Sequence, residues 1–201
     1  MSADHRIVKA KRLTVRVNDE IVRAIALQAM WRRFADQPNL ITALRRQLWF
    51  PLLRGSLHSD LLMTLCRLHE HGHEDNATIP VVRSLIEAPG VHDLLADPSA
   101  ADHAKRRHNE LRRTEAVRRI RVLRDRVLAH NDIRQTERIA ANDDELMILE
   151  ESARIATYLT MAIGGLGVRF SLHQRTWELA AERFWSLVVG GLNEGKAKAL
   201  V

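Results

Sequence analysis

The chain has 201 residues, 46% hydrophobic and 28% charged, so it can bury a core and is excluded from the disordered class. Its net charge of +6 favours a polyanionic partner, and its single cysteine, Cys66, excludes both an intramolecular disulfide and a cysteine-based zinc framework. The longest uncharged run, residues 155–168, is too short and too glycine-broken for a membrane span, and the first residues lack the apolar segment of a secretory signal. We therefore predict a cytoplasmic protein with no membrane partner.

The composition favours helices, and the predicted elements begin at the N-terminus. Only 4% of the residues are aromatic, and glycine and proline are sparse at 9 and 5. "LTVRV" alternates, so residues 1–18 are predicted to be a short strand or a basic extended arm. Asn18 precedes two acids, which favours a helix from residue 19 to about 35. A short helix over residues 40–48 and a longer one from Pro51 are predicted next, with Cys66 as a small buried core residue.

The remaining elements complete an all-α bundle. Thr78 and Pro80 predict a short helix, and a long one should follow from about residue 101 to 130. The last two helices are predicted over residues 144–163 and 172–190. The apolar face of the final helix would carry Trp177, Phe184, Trp185 and Val188. We thus predict one domain of about five to six helices over residues 19–190, followed by a C-terminal tail over residues 191–201.

The predicted helix 101–130 carries much of the positive charge. Ten lysines and arginines lie between Lys105 and Arg126, opposed by three acids. Its apolar stripe is formed by Leu111, Ala116, Ile120, Leu123 and Val127. His130 continues this stripe, Arg126 lies one turn before it, and Arg124 lies about 120° away from it around the helix.

This pattern has two interpretations. In the first, the arginines form a solvated face, and His130 is a histidine whose charged form is favoured by the helix dipole. In the second, the arginines bind phosphates, and arginine and histidine at the helix end form a phosphoryl-transfer site. The second interpretation requires neither a metal nor a cofactor. The arginines expected to bind these phosphates are Arg112, Arg113, Arg118, Arg119, Arg121 and Arg126.

The segment "LRDRVLAHND", residues 123–132, resembles the HEPN signature, in which Arg, a polar residue and a later His stand near the end of a long helix. Together with the helix order over residues 19–190, it looks most like HEPN-like domains of the AbiU abortive-infection type. The resemblance implies a homodimer in which both Arg/His pairs line one cleft, and a metal-independent endoribonuclease leaving a 2′,3′-cyclic phosphate. His130 would be the general acid/base, Arg124 would hold the phosphate, and Asp125 would orient one of them.

The resemblance leaves a second function open. Many HEPN domains are catalytically silent, so the alternative is a non-catalytic module that binds RNA or a protein. The sequence therefore leaves both an enzyme and a binding module open, with RNA and a second copy as the expected partners. An antitoxin or another component of a defence or toxin–antitoxin system is a further expected partner.

A second cluster of polar residues follows "LLMTLCRL". His69, His71 and His73 alternate along the chain, beside Glu70 and Glu74. Histidines at this spacing bind metal only if the segment is extended, and Gly72 favours a polar turn instead. We predict no functional metal site here.

Overall fold

The computed structural model describes residues 1–36, 44, 47, 49–130 and 142–198; within these helices, the side chains of residues 34–36, 126–130, 142 and 192–198 are not described. These residues form seven α-helices and no strand, which confirms the all-α class. The helices are α1 (Ala3–Asp36), α2 (Trp49–Leu68), α3 (Ile79–Ile86), α4 (Pro98–Arg112), α5 (Glu115–His130), α6 (Asn142–Ala162) and α7 (Phe170–Lys198). A single 3₁₀ turn, His92–Leu94, lies between α3 and α4.

Helix α1 is the central element, since α2, α3, α6 and α7 all pack against it. The strand or arm predicted for residues 1–18 is wrong, because the helix already begins at Ala3. The alternating "LTVRV" contains a helical stripe that includes Leu13 and Val17, both fully buried. Asn18 is not a cap: it lies inside the helix, 6% exposed, and its Nδ2 donates to Thr160 Oγ1 on α6 over 3.3 Å.

The single helix predicted over residues 101–130 is two helices, α4 and α5, separated at Arg113 and Thr114. The Thr114 hydroxyl donates to the Leu111 carbonyl at 2.8 Å and accepts from the Val117 amide at 3.4 Å, so it serves both helix ends. Because of this break, the described residues contain seven helices rather than the predicted five to six. Helix α4 packs along α6, and α5 packs against α2 and α6.

Other helix signals are confirmed. The Thr78 hydroxyl caps α3 by accepting from the Val81 amide at 3.3 Å, with proline inside the first turn. Helix α6 ends before Gly164, whose φ of +69° is a left-handed conformation that favours glycine. The short helix predicted over residues 40–48 lies largely outside the described residues.

Helix α7 differs from its prediction in length and in burial. It continues through Gly190 to Lys198, beyond the predicted end, because glycine weakens a helix interior without necessarily ending it. Trp185 is buried, but Trp177 and Phe184 are 38% and 43% exposed. The predicted apolar face is therefore only partly covered within the described part of the chain. None of the described helices is long and apolar enough to cross a membrane.

Candidate phosphoryl-transfer site

The motif residues lie at the C-terminal end of α5. Ile120 and Leu123 are 2% and 0% exposed, so the predicted apolar stripe fixes the rotation of this helix against α2. Arg124 follows the stripe and is 19% exposed at its side chain, whereas Asp125 is 65% exposed. His130 is the last residue of α5 by backbone, about 9 Å further along the axis, and its side chain is outside the described set.

Arg124 is held by two carboxylates. Its Nη1 donates to Glu70 Oε1, just beyond the end of α2, and its Nε donates to Asp125 Oδ1 over 2.9 Å. The guanidinium is thus oriented by a residue 54 positions earlier in the chain and by its own neighbour. A phosphate that binds here would have to displace these carboxylates or share the Arg124 guanidinium with them, because its N–H donors already make hydrogen bonds.

Cys66 lies beneath this ion pair. It is 4% exposed, which confirms the prediction of a buried core residue, and its thiol is 4.0 Å from the Ile120 carbonyl. Burial raises the pKa of the Cys66 thiol, with Arg124 and Arg121 acting weakly in the opposite direction. The thiol is therefore protonated near neutral pH, and it contributes packing rather than nucleophilic chemistry.

The expected RNA-binding arginines differ in their pairing. Arg119 makes two bonds to Asp144, of 2.6 and 2.7 Å, and Arg118 pairs with Glu115. Arg112 approaches His71 Nε2 at 3.4 Å. Neither Arg113 nor Arg121 forms an ion pair with any described residue, and the Arg126 side chain is not described. The positive charge of α5 is consequently partly neutralised by the fold itself.

A buried histidine pair lies beside the ion pair of Arg124. His69 is the residue before Glu70, and its ring stacks on that of His108 from α4, with centroids 5.4 Å apart. They are 3% and 0% exposed. His69 Nε2 lies 2.8 Å from Ser152 Oγ on α6, and Arg83 Nη1 on α3 donates to His108 Nδ1 over 2.7 Å. The pair therefore links the segment just after α2 to α3, α4 and α6 through ring stacking and hydrogen bonds.

The bond directions assign both tautomers. The Ser152 hydroxyl donates to the Ile148 carbonyl over 2.6 Å, so it accepts from His69, whose proton is then on Nε2. Because His108 Nδ1 accepts from Arg83, the proton of His108 is also on Nε2. Burial, followed by the charges of Arg121 and Arg112, lowers the pKa of His69 to about 4. Burial, followed by His69 and Arg83, lowers the pKa of His108 to about 2, so both rings are neutral at pH 7.

Comparison with known proteins identifies the family. The family model HEPN_AbiU2, described as AbiU2, matches residues 7–184. The chain belongs to this HEPN family. The searches of curated proteins and of solved structures found no match. The resemblance inferred from "LRDRVLAHND" is therefore confirmed over most of the chain.

In this HEPN domain, sequence reasoning missed the residues that surround Arg124. Glu70 was grouped with the histidines of a polar turn, but its carboxylate binds Arg124, and His69 is buried rather than part of that turn. His73 is 74% exposed. The described part of the HEPN domain holds no group of three His, Cys, Asp or Glu residues placed to bind a metal. The one sequence signal for His69 was its position at the end of an apolar helical run.

Proposed function

We propose that this HEPN protein is a metal-independent endoribonuclease of a defence or toxin–antitoxin type, active as a homodimer with a composite Arg/His site. The observation that carries the proposal is the motif of Arg124 and His130 at the end of α5, in a chain that belongs to the AbiU2 family. The partial exposure of Arg124 supports it, because a phosphate can approach a guanidinium that is not sealed in the core.

The chemistry follows from the residue types. His130 takes the proton of a ribose 2′-OH, the oxygen attacks the adjacent phosphorus, and the P–O5′ bond breaks. The leaving 5′-oxygen takes a proton from imidazolium, which the second His130 of a dimer would supply. Arg124 stabilises the charge that builds on the phosphoryl oxygens, and Asp125 orients Arg124. The products are a 2′,3′-cyclic phosphate and a 5′-hydroxyl.

A non-catalytic RNA-binding or protein-binding module is the second candidate function. The ion pairs of Arg124 with Glu70 and of Arg119 with Asp144 favour it, because they withhold two guanidinium groups from phosphate. Such a module would bind RNA through the remaining cations, and its affinity would fall steeply with salt.

Cleavage of end-labelled total RNA in EDTA tests the proposal. Wild type should cleave and leave 3′ ends that can be ligated only after removal of the cyclic phosphate. His130→Ala and Arg124→Ala should each lose about 100-fold or more in rate. Cell toxicity should disappear with His130→Ala.

The matched control is His73→Ala, which removes an exposed histidine outside α5 and should cleave like wild type. All variants are compared at equal helix content and oligomeric state. If wild type binds RNA in a salt-sensitive manner but neither it nor His130→Ala cleaves, the ribonuclease is rejected in favour of the binding module.

A further inference from the structure

A cavity of about 400 Å³ opens between α1, α6 and the start of α7, and none of its described lining residues belongs to α5. Its apolar wall includes Ile25, Leu146, Leu149, Ala153 and Phe170. This volume lies within the range of pockets that bind small molecules, near its lower end. The cavity would accept a small apolar body such as one aromatic ring with a short chain.

Gln28 on α1 supplies a polar group at this wall. The residue is only 4% exposed, and its side chain makes no hydrogen bond to any part of the chain that the structure describes. Neither polar atom of its amide is among the fully enclosed ones without a partner, so the amide keeps some accessible surface. Gln28 also lines a neighbouring cavity, so it lies where the two meet. The amide therefore has two donors and an acceptor ready for a bound molecule.

The mouth of the cavity is electropositive. Arg169, Phe170 and Ser171 line it at the N-terminus of the 29-residue helix α7. The amides of Phe170 and Ser171 make no backbone hydrogen bond to described residues, and the helix dipole adds positive potential here. Arg169 is exposed and forms no ion pair in the described part of the chain.

Among the residues described at this cavity, Glu150 is the one carboxylate, and its charge is compensated. Glu150 lies 3.9 Å from Arg154, which also pairs with Glu151 outside the cavity. Arg169 is left as the cation without an acidic partner among the described lining residues. The charge distribution thus matches a ligand with one anionic group at the mouth and an apolar part inside.

We propose that this cavity is a binding site for a small amphiphilic anion, a carboxylate or phosphate monoester attached to an apolar body. The anion binds the first turn of α7 and Arg169, and the apolar body packs on Leu146, Leu149 and Ala153. Gln28 hydrogen-bonds the polar linkage between the two. The site is independent of the Arg124 and His130 chemistry, so it stands whether or not the protein cleaves RNA.

Titration of the ¹⁵N-labelled full chain with 4-phenylbutyrate and with phenyl phosphate tests the proposal. We expect saturable amide shifts in α1 around Gln28 and in the first turn of α7 with at least one probe. The tighter probe identifies the preferred anion. The uncharged 4-phenylbutyramide should bind at least about fivefold more weakly than the carboxylate.

Three variants locate the site. Ala153→Phe fills the cavity and should abolish binding, while Gln28→Leu and Arg169→Gln should each weaken it about threefold or more. Arg175→Gln is the matched control, since Arg175 is on the same helix but lines a neighbouring cavity, which shares only Gln28 with this one among the residues described. If Ala153→Phe does not fold, Gln28→Leu and Arg169→Gln still decide.

Three results would overturn the proposal. The first is a folded wild type that shows no saturable shift with either anion at millimolar concentration. The second is equal affinity for the butyramide, and the third is unchanged binding by both Gln28→Leu and Arg169→Gln. None of these results bears on RNA cleavage, which is measured separately.

Discussion

Arg124 is a cation that already has two carboxylate partners, and this limits what it can do for a phosphate. The side chains of Glu70 and Asp125 are 43% and 65% exposed, so both carboxylates of these ion pairs contact solvent. Exposed pairs of this kind contribute about 1 kcal/mol or less. If Arg124 binds a phosphate as proposed, that phosphate can displace Glu70 at modest cost, and Glu70 competes with it weakly for the guanidinium.

Replacement of Glu70 by glutamine should remove its competition with a bound phosphate for the Arg124 guanidinium. If Arg124 holds the scissile phosphate, Glu70→Gln should raise the cleavage rate at saturating RNA about two- to fivefold, a change that corresponds to an exposed ion pair. Glu115→Gln is the control, because it frees Arg118 on the same helix and removes the same charge. It should strengthen binding slightly without raising the rate. A lower rate in Glu70→Gln would contradict the prediction.

The neutral pair of His69 and His108 makes the fold sensitive to acid. Both folded pKa values, about 4 and about 2, are below the unfolded value of about 6.5. Stability is therefore complete above pH 6.5 and falls as the pH drops towards the folded values, because only the unfolded state takes up protons. Each histidine contributes a loss of about 1.4 kcal/mol per pH unit in this window.

Urea unfolding at pH 7.5, 6.0 and 5.0 measures this loss. The free energy of unfolding should fall by several kcal/mol between pH 7.5 and 5.0 in wild type. His69→Gln should be less stable at pH 7.5 but should show about half of the pH dependence. His73→Gln should behave like wild type, since that ring is exposed. Equal pH dependence in wild type and His69→Gln would refute the assignment.

At the scale of elements, local contacts at the helix ends determine where the helices of the bundle begin and end. Thr114 divides α4 from α5 with a side-chain hydroxyl, so α5 starts anew and carries the motif at its own C-terminal end. Gly164 closes α6, and the Ala162 carbonyl there accepts from the amides of Ala96 and Asp97 ahead of α4. By contrast, Gly190 and Gly191 do not end a helix, because α7 continues through both to Lys198.

These glycines should respond in opposite directions to alanine. A Cβ at Gly190 or Gly191 meets nothing within 4 Å, so each alanine should stabilise α7 by about 0.5–1 kcal/mol. Gly164→Ala should destabilise by about 1 kcal/mol or more, because φ is +69° and its Cβ would lie 3.0 Å from Ala96 Cβ. Hydrogen exchange in α7 and urea unfolding measure both effects. A loss of stability in Gly190→Ala would contradict the helical assignment there.

At the scale of the whole molecule, the proposed composite site requires two chains. If both Arg/His pairs line one cleft and both are needed, a dimer of one active and one inactive chain has no cleavage activity. His130→Ala mixed with wild type at ninefold excess, after subunit exchange, should lower cleavage per wild-type chain about tenfold. Sedimentation should give a dimer for both proteins. Unchanged activity per wild-type chain would show that each chain works alone.

The sequence by itself determined the helical class, the cap of α3, the end of α6 and the family, because these depend on local composition, spacing and a short motif. It also placed Arg124 about 120° around the helix from His130, by helical geometry. Only the tertiary structure decided that residues 1–18 are helix, since the pattern in "LTVRV" fits both periods until α2, α3 and α6 bury one face of α1. Tertiary contacts likewise paired Arg124 with Glu70 and His69 with His108, because those partners are 54 and 39 positions apart and no local rule relates them.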